Sequence, residues 1–336
     1  MQAKKIILNT LKFAVSFGIG ALIVWYLLSK PSAEDKAKIY KSLTEADYTW
    51  VIVSMCAGVL AHLSRAIRWK MLLAPLGIVP RLSNTFYSVM IGYFGNLLFP
   101  RAGEVLRCGI MKGYEKIPLA QSFGTVITER IIDTSILFLL FIFSAWREYG
   151  RLQSYIAENI TGPLKDKIHL LLANKPLLFL LIAVFAALLA AFYFFRKKIY
   201  NNPIVQKIRN TLLSFLDGMR SVRKVKSPLL FIFHSLFIWA MYLMTVYLCI
   251  YAFDETKNLS LIDCTILMAF GSLGVIAVQG GIGAYQWIVL QIMLIWGYSE
   301  TIGYAFGLVV WAAQTVVVLV GGPVCFGLIA VANRKK

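Results

Sequence analysis

Residues 96–107 read Asn-Leu-Leu-Phe-Pro-Arg-Ala-Gly-Glu-Val-Leu-Arg, and they continue directly from the apolar run 86–98. A proline, a glycine and three charges interrupt an otherwise apolar part of the chain here. At bilayer depth such residues are tolerated only where they line a cavity or pair inside the protein. We therefore interpret this segment as the break in a membrane helix and as the first candidate for a functional site.

The composition of the 336-residue chain is that of a membrane protein. Hydrophobic residues make up 59% and charged residues 15%, and the mean hydropathy of +0.72 exceeds that of soluble domains. We predict an all-α polytopic membrane protein, one integral membrane domain over 1–336, with about eight transmembrane helices plus one or two re-entrant broken hairpins. The apolar runs place helices at 6–28, 48–66, 84–98, 104–128, 131–146, 176–195, 228–253, 261–279, 282–296 and 302–332.

The net charge of +18 indicates a membrane surface rather than nucleic acid as the partner, because no nucleic-acid recognition motif accompanies it. Nine lysines and arginines stand against the single acid Asp217 in the loop 196–227, as the positive-inside rule expects of a cytoplasmic loop. This loop also shows apolar residues at helical spacing. It is interpreted either as an amphipathic helix on the cytoplasmic leaflet or as a solvated connector. We predict a multi-pass protein of the plasma or inner membrane with both termini in the cytoplasm.

Two stretches place helix breakers between short apolar arms. The first, 84–129, contains the opening segment, and the second, 261–297, contains Gly280-Gly281-Ile282-Gly283. With both termini in the cytoplasm, the charge rule requires an even number of passes in 84–129 and puts the outer ends of 261–297 outside. One broken hairpin then opens inward and the other outward. This arrangement predicts an inverted repeat with a substrate site near the midplane.

Charged residues around the first break suggest an anionic ligand. Glu104 and Arg107 are three residues apart, as are Arg130 and Asp133, so we expect each pair to share a helix face and to form an ion pair. Arginine suits such a site because its planar fork binds phosphate or carboxylate with two hydrogen bonds. The alternative is that the charges in 129–133 form structural ion pairs that hold the hairpin together.

Further candidates each have two interpretations. Arg65 and Arg68 end the second predicted helix, where such residues are most often interfacial anchors. The glycines of the second break either expose backbone groups to a ligand or permit close helix packing. Gln286, in the helix after them, is polar enough to face a cavity. The candidate substrate-binding residues are Arg68, Asn96, Arg101, Glu104, Arg107, Glu129, Arg130, Asp133, Gly280, Gly281, Gly283 and Gln286.

No motif indicates catalysis. His62, His169 and His234 are dispersed, and neither a metal-binding spacing, a nucleophile elbow nor a phosphate loop is visible. We therefore expect no catalytic residues, no metal and no cofactor, and we expect that the protein is not an enzyme. The expected partner is a membrane phospholipid or lipid-linked substrate, without nucleic acid, and self-association as a homo-oligomer is left open.

Four motifs resemble those of the lysylphosphatidylglycerol synthase transmembrane family, whose flippase-like domains also form part of multiple peptide resistance factors. The resemblance covers nearly the whole chain. The motifs are Arg65-x-x-Arg68-Trp69, Asn96-x-x-x-Pro100-Arg101-x-Gly103-Glu104-x-x-Arg107, Glu129-Arg130-x-x-Asp133 and Gly280-Gly281-x-Gly283.

The resemblance implies movement of aminoacylated phospholipids, or related lipid-linked molecules, between leaflets. It implies that Arg101, Glu104 and Arg107 line the lipid pathway and that the charges in 129–133 support it. The chain departs from the family in carrying Gln286 where a glutamate is usual. We do not expect lysyl transfer, because no soluble aminoacyl-transferase domain accompanies the membrane domain.

Three functions are consistent with these features. The first is a flippase or scramblase-like transporter of an anionic or aminoacylated phospholipid or another lipid-linked molecule. The second is a secondary transporter or channel for a small anion, and the third is a membrane-embedded transferase using lipid-linked substrates. A lipid-accessible cavity would favour the first, and a cavity open to water and closed to lipid would favour the second.

Overall fold

The computed structural model describes residues 18, 29, 32–99, 102–151 and 225–334, and all of their regular structure is helical. Residues 145–151 belong to a unit separate from that of the other described residues. The described α-helices are α1 (Ala33–Glu45), α2 (Tyr48–Leu73), α3 (Leu82–Leu98), α4 (Ala102–Glu115), α5 (Leu119–Arg147), α6 (Pro228–Cys249), α7 (Leu261–Ala277), α8 (Ala284–Ile295) and α9 (Glu300–Ala332).

Three stretches among the described residues are long and apolar enough to cross a membrane, namely Tyr48–Leu76, Pro228–Ala252 and Glu300–Ala332. Two further apolar helices, α7 and α8, are shorter. Serine caps define where several helices begin: Ser260 forms a capping box with Asp263 at α7, and Ser299 caps α9. The prediction of an all-α membrane protein is confirmed.

Helices α2 and α6 pack side by side in opposite directions. Near the start of α2, Ser54 Oγ accepts from Cys249 Sγ at the end of α6, at 3.3 Å. Further along α2, Ser64 Oγ lies 2.8 Å from the Nδ1 of His234, near the start of α6. Because the short helices follow the C-terminal ends of α2 and α6, the α3–α4 and α7–α8 pairs start from opposite ends of the molecule's central helix pair.

The helices α2–α5 and α6–α9 follow the same order of lengths: long, short, short and long. The first short helix of each set has 17 residues and ends in an extended residue, Phe99 or Val278. The N–H of each of these residues donates to a glycine carbonyl four residues earlier, Gly95 or Gly274. The two sets therefore share the same order of helices and the same helix ending. They run in opposite directions, because α2 and α6, their first helices, are antiparallel.

The two breaks meet inside the molecule. The Nε2 of Gln279, just after the end of α7, donates to the carbonyl of Leu97 at the end of α3 at 3.1 Å. A Cβ on Gly280 would lie 3.0 Å from Leu97 Cδ1, so the absence of a side chain permits this approach. The helix breakers thus lie at the point where the two short-helix pairs contact each other.

Several helix boundaries differ from those expected. Helix α2 continues to Leu73, seven residues beyond the predicted end, because its arginines have partners inside the protein. The predicted helices 104–128 and 131–146 are replaced by α4 and α5, which meet at residues 116–118. The first predicted span 6–28, the span 176–195 and nearly all of the basic loop 196–227 lie outside the described residues.

Candidate functional site

Two arginines of α2 form the base of the site. Arg65 and Arg68 are one turn apart on one face of the helix, and they are only 3% and 0% exposed. Their side chains therefore lie inside the protein, which favours the second interpretation, a site within the helices, over that of anchors exposed at the membrane interface. A guanidinium at this depth requires counter-charges, because removing an unpaired ion from water costs several kcal/mol, on the order of the stability of a whole domain.

Helix α5 provides the counter-charges through Glu129 and Asp133, which share a face because they are four residues apart. Arg65 Nη1 donates to Asp133 Oδ2 at 2.5 Å, and Arg68 Nη2 donates to Asp133 Oδ1 at 2.7 Å. Each arginine is also within 3.4 Å of Glu129 Oε1. One carboxylate therefore bridges two arginines, and the second lies beside both.

Helix α4 adds a third arginine. Arg107 Nη2 donates to Glu129 Oε2, and its guanidinium lies over the Trp69 ring with 4.3 Å to the centroid. The Trp69 indole N–H donates in turn to Thr125 Oγ1 at 2.9 Å, which fixes the ring. We call the group formed by Arg65, Arg68, Arg107, Glu129 and Asp133 the arginine cluster.

A second ion pair lies at the edge of the arginine cluster and is more exposed. Arg130 Nη2 donates to Glu104 Oε1 at 2.8 Å, and the two side chains are 40% and 20% exposed. Asn96 holds this pair by donating to Glu104 Oε1, while its own Oδ1 accepts from the Gly103 N–H at 2.8 Å. We call Arg130 and Glu104 the rim pair, because burial increases from them towards Arg68.

Two tyrosines and a serine complete the surroundings. The Tyr93 ring lies between Arg65 and Arg130, with the guanidinium carbons 5.6 and 5.9 Å from its centroid. On α6, Tyr242 OH and Ser235 Oγ accept from Arg65 and Arg68 respectively. Five of the described helices thus contribute to the site.

Donor groups in this network remain unused. Among the described residues, the Nε–H groups of Arg65, Arg68 and Arg107 have no hydrogen-bond partner. The cluster and rim together hold four arginines and three carboxylates, so the network carries one net positive charge. Buried donors and a surplus positive charge are what an anionic group would satisfy.

The ion pairs differ from those expected from sequence spacing. Glu104 pairs with Arg130 and not with Arg107, while Asp133 pairs with the arginines of α2 and not with Arg130. The spacing identifies residues on a common face correctly. It does not identify partners, because the neighbouring helices present opposite charges at shorter distances.

The second break contacts the first at Asn96 and Leu97, and its glycines make no hydrogen bond to the arginine cluster among the described residues. Gly280, Gly281 and Gly283 have φ values of 65°, 70° and 75°, in the left-handed region that glycine adopts without strain. The Gly280 carbonyl accepts from the Trp311 indole at 2.7 Å, so an internal side chain occupies it. Gln286 is buried on α8, and its Oε1 has no partner among the described residues.

A neutral pair in α6–α9 corresponds to an ion pair in α2–α5. Arg65 and Thr245 are each the eighteenth residue of their helix, and Asp133 and Gln314 are each the fifteenth. Gln314 Nε2 donates to Thr245 Oγ1 at 3.1 Å, as Arg65 donates to Asp133. The position that holds an ion pair in the first half therefore holds a neutral hydrogen bond in the second.

The structure brings together seven of the candidate residues: Arg68, Asn96, Glu104, Arg107, Glu129, Arg130 and Asp133. Gly280, Gly281, Gly283 and Gln286 belong to the other short-helix pair. Arg101 lies outside the described residues. No group of histidine, cysteine or acidic side chains that could hold a metal ion is found in the part of the chain that the structure describes.

Sequence reasoning did not place Arg65, Tyr93 and Tyr242 in the site. A signal for Arg65 was present, because it precedes Arg68 by one turn in a helix that is otherwise strongly apolar. The tyrosines carried no signal, since tyrosine is common in membrane helices, especially at the interfaces.

The fold and the buried network together define an all-α integral membrane protein with a charged site between its helices. The family described as lysylphosphatidylglycerol synthase TM region matches residues 10–322. The chain therefore belongs to this family, and the resemblance seen in its motifs is confirmed.

Three relatives are similar over parts of the chain. A UPF0104 membrane protein of Methanocaldococcus jannaschii is 31% identical over 144 residues, which are 42% of this chain and 40% of the relative. One of Methanothermobacter thermautotrophicus is 24% identical over 87% of both chains. Glycosyltransferase AglD of Haloferax volcanii is 29% identical over 100 residues, 30% of this chain and 16% of that protein. No solved structure matches.

Proposed function

We propose that this protein moves an anionic or aminoacylated phospholipid, or another lipid-linked molecule, between membrane leaflets without chemical conversion. The arginine cluster would bind the headgroup, and the acyl or isoprenoid chains would stay in the lipid. We also infer that the protein lies in the cell membrane with both termini in the cytoplasm.

The observation that carries the proposal is a surplus positive charge among buried helices. A network needed only for packing would gain from neutrality, because each unbalanced buried ion costs several kcal/mol, on the order of 3–5. Three unused Nε–H donors around that surplus charge favour a ligand with several acceptor oxygens, such as a phosphodiester.

The rim pair offers the route to the cluster. Arg130 and Glu104 are the most exposed members of the network, and both contact residues at the first break. An anionic headgroup that displaces Glu104 from Arg130 gains one guanidinium at once. It then approaches Arg65, whose guanidinium lies on the same Tyr93 ring.

The comparisons support a lipid-related function at a coarse level. The description of the family names a synthase of a lipid, lysylphosphatidylglycerol. One relative is named a glycosyltransferase, but the match covers only 16% of its length. That coverage does not favour a transferase activity for this chain. Transport of a small anion uses the same chemistry, so the experiment must distinguish it from lipid movement.

The test is translocation of fluorescent phosphatidylglycerol in proteoliposomes. We expect Arg130→Gln to slow translocation about tenfold, because it removes one charge-assisted contact to the headgroup worth about 1.5–3 kcal/mol. Lys257→Gln is the matched control, since Lys257 forms an exposed ion pair with Asp254 away from the network. It should leave the rate unchanged.

Three results would contradict the proposal. Wild-type protein that does not accelerate lipid movement would overturn it outright. An Arg130→Gln variant that behaves like Lys257→Gln would overturn the site assignment. Phosphate flux through the same vesicles without lipid movement would favour the small-anion transporter.

A further inference from the structure

His62 is a buried titratable side chain beside the arginine cluster for which the proposed function has no role. It lies on α2 one turn before Arg65 and is only 6% exposed. Its ring lies 4.7 Å from the Tyr93 ring of α3 and 6.3 Å from the Tyr242 ring of α6, measured between centroids. Its Nδ1 has no hydrogen-bond partner within the described part of the chain.

The charged and titratable groups around His62 come from four helices. Arg65 belongs to its own helix, and Tyr93 and Tyr242 face it from α3 and α6. Helix α5 contributes Glu129 and Asp133, which are bonded to Arg65. The network already has a surplus positive charge, so a further proton on His62 is unfavourable as long as no anion is bound.

A bound anion changes this balance. A negative headgroup on the unused Nε–H donors cancels the surplus charge and favours a cation nearby. Linkage then works in both directions: the anion strengthens proton binding, and the proton strengthens anion binding by the same factor. Histidine suits this exchange because it is the side chain whose unperturbed charge change falls between about pH 5 and 8.

We propose that His62 takes up one proton from water when an anionic headgroup binds the arginine cluster and releases it when the headgroup leaves. The anion then crosses the membrane together with a proton. This inference rests on the proposed function and adds to it a coupling to the pH gradient.

His234 provides a matched control. It lies on α6 against the same helix α2, but its Nδ1 is 2.8 Å from Ser64 Oγ and its ring is partly exposed. It therefore has a neutral hydrogen-bond partner and makes no hydrogen bond to the arginine cluster, whose Arg68 acts on it only through its charge. The two histidines differ in their contact with the arginine cluster while sharing the same helix pair.

The experiment measures phosphatidylglycerol translocation between about pH 5.5 and 8.5, a range that includes the unperturbed pKa of histidine but not that of a phosphodiester. We expect wild-type protein and His234→Gln to translocate about tenfold faster at the acidic end, within the range of typical coupling factors. The His62→Gln variant should show a flat profile. An acidic vesicle exterior should drive net lipid movement through wild-type protein but not through His62→Gln.

A second measurement covers the case in which His62→Gln does not fold. In wild-type protein labelled at histidine, nuclear magnetic resonance follows the titration of each ring with and without phosphatidylglycerol. The lipid should strengthen proton binding at His62 about tenfold and change proton binding at His234 much less.

The outcomes distinguish the two proposals. If wild-type protein moves lipid and His62→Gln keeps the wild-type pH profile, the role of His62 is overturned while the proposed function stands. A His62 titration that lipid leaves unchanged would likewise overturn the role of His62 alone. If wild-type protein does not move lipid at any pH, both proposals are overturned.

Discussion

At the scale of single residues, Glu129 is the point on which three arginines converge. It accepts from Arg65 and Arg68 through one oxygen and from Arg107 through the other. Arginine serves here better than lysine, because its flat guanidinium can lie over Trp69 while it binds the carboxylate. The site thus depends on side-chain geometry as well as on charge.

We expect Glu129→Gln to lower the free energy of unfolding by about 3–5 kcal/mol, because it leaves several buried arginines short of a counter-charge. Denaturation in detergent, followed by circular dichroism, measures this loss. The matched control is Glu34→Gln, which breaks an exposed i,i+4 pair with Lys38 and should leave the free energy of unfolding nearly unchanged. Equal losses in the two variants would show that the buried network is not structurally important.

At the scale of elements, glycines allow the short helices to fold back on each other. Gly103 at the start of α4 lies so close to α3 that a Cβ would overlap the Gly92 carbonyl oxygen and approach Asn96 Cγ to 2.7 Å. The α7–α8 pair uses the same device, since a Cβ on Gly274 would lie 2.8 Å from the Tyr285 nitrogen. At each break, the two short helices that flank it are therefore in close contact.

We expect Gly103→Ala to destabilise the protein by about 1–3 kcal/mol, because the backbone of α3 must move to admit the methyl group. Translocation should fall as well, since Asn96 and Glu104 move with the contact. Gly109→Ala is the control on the same helix: nothing lies within 4 Å of its Cβ position, so the change should stabilise α4 by about 0.5–1 kcal/mol. Thermal unfolding of both variants checks this, and a stable Gly103→Ala would contradict the close contact.

At the scale of the whole molecule, the antiparallel α2–α6 pair gives the two halves opposite directions. The open ends of the α3–α4 and α7–α8 pairs lie at opposite ends of this central pair, while their breaks meet at Gln279 and Leu97. The charges are not shared between the halves, because the position of the Arg65–Asp133 pair is taken by Thr245 and Gln314 in the second half. The proposed headgroup site therefore lies in the first half only.

We expect single cysteines at positions 112 and 257 to react with a membrane-impermeant maleimide from opposite faces of the membrane. Lys112 is exposed in the last turn of α4, and Lys257 is exposed between α6 and α7. Loop charge predicts that position 112 faces the cytoplasm. Each variant carries one introduced cysteine in addition to the five native ones, so the labelling of wild-type protein is subtracted as background. Labelling of both variants from the same face would contradict the opposite directions of the two halves.

Much of the site could be predicted because charges in an apolar chain are conspicuous. Glu104, Arg107, Glu129, Arg130 and Asp133 stand out against their surroundings, and the structure places them together. The burial of Arg65 could not be predicted, because an arginine near a helix end is equally consistent with an interfacial position. Only the distance to Asp133, 68 residues along the chain, decides between the two.

The amino-acid sequence by itself determined that this is an all-α membrane protein, that two glycine- or proline-marked breaks interrupt its helices and which residues carry charge within apolar surroundings. These properties depend on the composition of the chain and on which residues are neighbours in the sequence. The tertiary structure alone decided which arginine meets which carboxylate, that α2 contributes two of the buried charges and that the two breaks touch. The reason is physical: helical spacing defines the face of a side chain, whereas its partner depends on which other helix packs against that face.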